Sequence, residues 1–290
     1  MKAVVFLLVL LAACAPAPQQ INEMDSSYTS HLGCMPEEVA ANGTCAVAAV
    51  GERNVDLFDS LDASRVHTEN VSYFGKSRGF LAAPKEKGVY PAVVMIHEWW
   101  GLNNNIKNMA VLLAQEGYVV LAVDIYEGKV ANSSDEARAL TSSVKQPRAN
   151  ENMRAAVEFL RGRSDVDASK IGSIGWCFGG GQSLQLALSG EKLQATIIYY
   201  GQLSSNETLL RQIEWPVLGV FAELDSGIPP ARVNEFKAAL DNVGVENDVT
   251  IYPNVNHAFA NPSGARYAAN ETRDAWKKTV TFLNRTLKNE

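Results

Sequence analysis

The chain has 290 residues, 47% of them hydrophobic, 20% charged and 8% aromatic. This ordinary globular composition excludes disordered, collagen-like and coiled-coil classes. Thirty-two acidic against 26 basic side chains leave a formal charge of −6, and no Lys/Arg-rich run offers a footprint for nucleic acid, so nucleic-acid binding is not expected.

The N-terminus has the form of an export signal. Lys2 precedes an apolar run at 3–13, too short for a membrane span, which needs about 20 residues in a helix. Leu11-Ala12-Ala13-Cys14 resembles the lipobox of prokaryotic lipoproteins, which implies cleavage before Cys14 and lipid on its sulfur. Residues 1–13 are therefore expected to be a signal peptide and 14–60 a lipidated tether with an N-terminal segment. The main domain is expected over 61–290, on the extracytoplasmic side of a membrane. Cys34 and Cys45 are the disulfide candidates in an oxidising compartment. Closing so short a loop would stabilise the fold by roughly 3 kcal/mol. Cys177 is left without a partner.

Candidate strands follow at 66–74, 80–83, 92–96, 119–125, 171–174, 195–200, 217–222 and 249–252. Several are short continuous runs of Val, Ile and Leu, as expected when both faces of a parallel strand are buried. Between them lie amphipathic stretches. Ile106, Met109, Ala110 and Leu113 keep helical spacing, and Gly117 is placed to end that helix. Met153, Ala156, Val157 and Leu160 repeat the spacing, Val233, Phe236 and Leu240 form another stripe, and Trp276, Val280, Leu283 and Leu287 close the chain. The alternation predicts an α/β fold with a mostly parallel, doubly wound sheet flanked by helices.

Chemistry concentrates at Gly175-Trp176-Cys177-Phe178-Gly179-Gly180, between a strand and a helix. This is the nucleophile-elbow pattern Gly-x-Ser-x-Gly with Cys at the nucleophile position. The strained turn demands glycine two positions to either side, and it sets the sulfur at a helix N-terminus, whose dipole suits an anion. A thiol nucleophile needs a base, and the base an orienting acid. Of the four histidines, His31 lies in the tether and His67 is poorly placed. His257 follows the last candidate strand, where the order nucleophile, acid, base puts the imidazole. Asp225 follows the strand at 217–222 and is the expected acid, with Glu223 as its rival. The strand ending at Ile96 runs into His97-Glu98-Trp99-Trp100-Gly101, where such folds supply an oxyanion-hole amide, so the backbone N–H groups of Trp99 and Phe178 are assigned to that hole. His97-Glu98 is no zinc motif, because Gly101 stands where the second His of His-Glu-x-x-His would be.

Ile96-His97-Glu98-Trp99-Trp100-Gly101, the elbow, Asp225 and Asn256-His257-Ala258-Phe259 together resemble the dienelactone hydrolase family over about residues 65–288. The resemblance implies an α/β-hydrolase fold and hydrolysis of an ester or enol-lactone through an acyl-cysteine. It also implies that Glu98 contacts the resting thiol and takes part in forming the thiolate. Arg138, Trp100 and Phe259 are the substrate-binding candidates. Relatives acting on dienelactone hold its carboxylate with arginines, one shortly after the catalytic His. Here 257–262 reads His-Ala-Phe-Ala-Asn-Pro, which points to a neutral ester or lactone as the small-molecule substrate. No metal or organic cofactor is called for, and no protein partner is evident. The rival readings are a ligand-binding lipoprotein without catalysis and a thiol-dependent acyltransferase or thioesterase.

Overall fold

The computed structural model describes residues 57–288; Cys14, Cys34, Cys45 and the apolar leader lie outside them. Eight strands build one sheet: β1 (Val66–Phe74), β2 (Ser77–Pro84), β3 (Tyr90–Ile96), β4 (Val119–Val123), β5 (Val166–Trp176), β6 (Ala195–Tyr199), β7 (Val217–Ala222) and β8 (Asn247–Tyr252). Their spatial order is β1-β2-β4-β3-β5-β6-β7-β8. β1 and β2 form an antiparallel hairpin, β2 is antiparallel to β4, and all pairings from β4 across to β8 are parallel.

The helices are α1 (Asn104–Gln115), α2 (Ser134–Ser143), α3 (Gln146–Arg161), α4 (Phe178–Ala187), α5 (Glu207–Leu210), α6 (Pro230–Val243) and α7 (Ala269–Leu283). α1 begins where the Asn103 side chain accepts from the Ile106 N–H, and it is followed by Gly117 at φ +84°. That is the stop expected from the sequence, because glycine takes the left-handed conformation without steric cost. In β3, Val93 and Met95 pack into the layer shared with α1 and α7. Ala92, Val94 and Ile96 point into the opposite layer, shared with α3, α4 and α6. This two-sided burial is why the central strands read as continuous apolar runs rather than as alternation. Each fully buried Leu or Val in these layers contributes roughly 1.5–3 kcal/mol. Leu57, ahead of β1, is also buried, in the α1 and α7 layer.

Because β3, β5, β7 and β8 run parallel, their carboxyl ends share one edge of the sheet. The loops leaving that edge carry Glu98, Cys177, Asp225 and His257.

Candidate active site

Cys177 lies between β5 and α4 with φ +55° and ψ −117°, in the positive-φ half of the conformational map that non-glycine residues rarely enter. Its N–H donates to the Tyr199 carbonyl at 3.0 Å, and its carbonyl accepts from the Gly181 N–H at 3.2 Å, so neighbouring strand and helix hold the strained residue from both sides. The flanking glycines are required by contact. A Cβ on Gly175 would stand 2.1 Å from the Gly179 carbonyl oxygen, and one on Gly179 2.2 Å from that of Ile96. The elbow is packed directly onto the end of β3.

His257 Nε2 lies 3.1 Å from Cys177 Sγ, and His257 Nδ1 donates to Asp225 Oδ2 at 2.6 Å. Asp225 Oδ1 in turn accepts from the Gly227 and Ile228 N–H groups at 2.9 and 3.1 Å. Burial would raise Asp225, but the His257 hydrogen bond and charge outweigh it and hold the carboxyl below its usual range. Burial would likewise lower His257. The bonds to Asp225 and Cys177 outweigh it and push the imidazole up to about 10. Glu223, the rival acid, faces elsewhere: its Oε2 accepts from the Asn254 N–H at 2.9 Å. With Glu223 N–H to Tyr252 O and Leu224 N–H to Val255 O, this zips the loop after β7 to the loop after β8, which aligns Asp225 with His257.

Glu98 departs from its expected contact. Its carboxyl, 2% exposed, accepts from Asn261 Nδ2 at 2.7 Å, while the thiol bonds to His257. Burial raises Glu98 to about 7, only partly offset by the His257 charge. Asn261, which the sequence presented as a missing arginine, thus ties the turn after β3 to the histidine loop. His97 has a role beyond the zinc motif it fails to complete. Its Nδ1 donates to the Glu98 carbonyl at 2.6 Å and its Nε2 accepts from the Ile125 N–H at 3.2 Å, which fixes a neutral tautomer. Complete burial lowers it to about 4.

These two neighbours work against each other in stability. Glu98 is raised, so its contribution is whole below 4.5 and is lost as pH rises through about 7. His97 is lowered, so its contribution is present above 6.5 and is lost as pH falls toward about 4. Glu98→Gln keeps an acceptor for Asn261 and removes only the first effect. The melting temperature of the variant, relative to wild type, is expected to gain roughly 5 °C or more between about pH 5 and about pH 8. A difference that stays constant across this range would show that Glu98 is ionised throughout in the folded chain.

Trp99 is second in the tight turn that the Gly101 N–H closes onto the Glu98 carbonyl at 3.2 Å. Phe178 opens α4, where first-turn amides have no intrahelical acceptor. Trp100 is half-buried beside Trp99, ring centroids 5.1 Å apart. The other two substrate-binding expectations are corrected. Phe259 is fully buried against Tyr200 and Tyr252, a core position without access to a ligand. The Arg138 side chain is 70% exposed and paired with Asp135 one turn back on α2. Tyr200, which the sequence did not single out, has φ +34° just after β6 and packs its ring edge-on to His257 at 5.2 Å. Among the described residues, no three His, Cys, Asp or Glu side chains converge as metal ligands would.

The model of the dienelactone hydrolase family matches residues 77–287. Protein usf of Aquifex pyrophilus is 33% identical over 220 residues, 73% of this chain and 94% of that protein. The "Putative carboxymethylenebutenolidase" of Aquifex aeolicus is 32% identical over 221 residues, 73% of this chain and 95% of that protein. Among solved structures, a dienelactone hydrolase-like promiscuous phosphotriesterase from metagenomic libraries superposes with a TM-score of 0.71 at 23% identity. It covers 77% of this chain and 99% of its own, a likeness of fold.

Proposed function

Starting from its membership of the dienelactone hydrolase family, as a hydrolase of that type, we propose that this chain cleaves a neutral ester or enol-lactone through an acyl-cysteine. The unbroken line Cys177 Sγ, His257 Nε2, His257 Nδ1, Asp225 Oδ2 at a strained elbow carries the reading. The thiol proton of Cys177 passes to His257 Nε2, the sulfur attacks the carbonyl carbon, and the π pair moves onto oxygen, where the Trp99 and Phe178 amides meet it. Collapse expels the alkoxide or enolate, which takes a proton from His257. Water, giving a proton back to His257, then attacks the thioester and releases the acid and the thiolate. Asp225 keeps the imidazole oriented throughout. Glu98 is a positioning residue, joining the oxyanion turn to the histidine loop through Asn261. With Arg138 turned to solvent and Asn at 261, no arginine greets a substrate carboxylate among these residues, which supports a neutral substrate.

The proposal extends to export and a lipid on Cys14, on the strength of the apolar run and Leu11-Ala12-Ala13-Cys14. Intact mass of the full chain, expressed in a lipoprotein-processing bacterium and mixed with a small aryl ester, tests both parts. The expected result is a chain without residues 1–13 carrying lipid, and a transient acyl adduct that maps to Cys177. An unprocessed N-terminus rejects the anchor. Steady turnover with no adduct in wild type, and with Cys177→Ala equally active, rejects the acyl-cysteine.

A further inference from the structure

A cavity of about 440 Å³ lies between the turn joining β1 and β2, the loop after β4, and the start of α3. Its volume falls in the range of small-molecule sites. Four cations line it from these three segments: Lys76, Lys129, Lys145 and Arg148, against one carboxylate, Glu127. Arg148 pairs with Glu127 at 3.2 Å and lies 4.7 Å over the Phe74 ring. Among the described residues, no carboxylate pairs with the three lysines. On a chain of formal charge −6, such a cluster around one concavity is a local inversion of sign.

The floor is rigid. Asn152, 3% exposed, donates to Ser77 Oγ at 2.9 Å and to the Asp124 carbonyl at 3.0 Å, and accepts from the Tyr73 hydroxyl at 2.7 Å. The cavity also takes in the first turn of the 16-residue α3, whose N-cap position is Lys145, with no side-chain cap. Tyr126 forms the wall toward the catalytic centre and packs its ring on His97 at 4.6 Å and on Phe178 at 5.7 Å.

We propose that this cavity binds a small organic phosphate, separately from the ester cleaved at Cys177. Positive side chains lining one cavity from several segments suit a compact dianion, and the Phe74 and Tyr126 rings offer apolar walls to the carbon part. The proposal does not depend on the acyl-cysteine mechanism.

Calorimetric titration of the full chain with phenyl phosphate tests it, with phenol as the uncharged control. The expected result is saturable binding with Kd below about 1 mM at low salt, and no binding of phenol. Lys76→Ala with Lys145→Ala should weaken binding by about tenfold or more, while melting temperature and ester hydrolysis stay unchanged. Alkylating Cys177 should leave binding intact. Three results overturn the proposal: no saturation up to about 10 mM, equal affinity in the double variant, or loss of binding on alkylation, which would make the phosphate a ligand of the catalytic pocket.

Discussion

Asp225→Asn is expected to lower kcat for a small ester by about 10⁴, with the fold retained. Asn can present its oxygen to the Gly227 and Ile228 N–H groups, which the Asp225 Oδ1 now serves. Its amide nitrogen then faces His257 Nδ1, where a carboxylate oxygen accepts at 2.6 Å. A donor in that place forces the ring proton onto Nε2, the atom that lies 3.1 Å from Cys177 Sγ. The imidazole can no longer take a proton from the thiol or from water. Glu223→Gln should leave kcat within about threefold, because Glu223 contacts the Asn254 amide rather than the imidazole. Steady-state kinetics on the two variants separates the carboxylates, and equal losses would show that the loop, not the Asp225 charge, matters.

Gly179→Ala should remove about 3 kcal/mol or more of stability, a fall of roughly 10 °C in melting temperature, and most of the activity with it. The added carbon would stand 2.2 Å from the Ile96 carbonyl oxygen and 2.5 Å from that of His97. Backbone atoms cannot yield as a flexible side chain can. β3 and the elbow would have to part, moving the oxyanion turn and the sulfur relative to each other. Gly128→Ala is the control: at φ +89° it carries conformational strain, but nothing lies within 4 Å of the new carbon. Its loss should be about 1 kcal/mol, with activity retained. Similar melting temperatures for the two variants would mean that close packing at the elbow contributes little.

The strands, the helical stripes and the three residues of the sulfur–imidazole–carboxylate line were legible in the sequence, because each rests on a local pattern. Apolar runs marked β3 to β7, the glycines marked the turn at Cys177, and chain order singled out His257 and Asp225. What was not legible depends on side chains meeting across the fold. Asn261 and Glu98 are 163 residues apart in the chain, and no spacing announces that they bond. Phe259, two residues after His257, was expected to bind substrate. The backbone at Ala258 turns through φ +64°, and the ring ends up in the core instead. Arg138 was plausible by its place after β4, but the face of α2 that it occupies sends it to solvent. The cation-lined cavity was equally hidden, since its lysines come from three separate segments.

The sheet order has a consequence for the chain while it is being made. Cys177 emerges from the ribosome 80 residues before His257, and 48 before Asp225. The strand that carries the histidine loop is β8, the last to be synthesised and the outermost on its side of the sheet. Until β8 docks against β7, the sulfur has neither its imidazole nor the zipped loops that aim it. A nascent or stalled chain therefore carries Cys177 without the imidazole and carboxylate that stand in line with it in the folded chain, and that line is completed in one late step of folding.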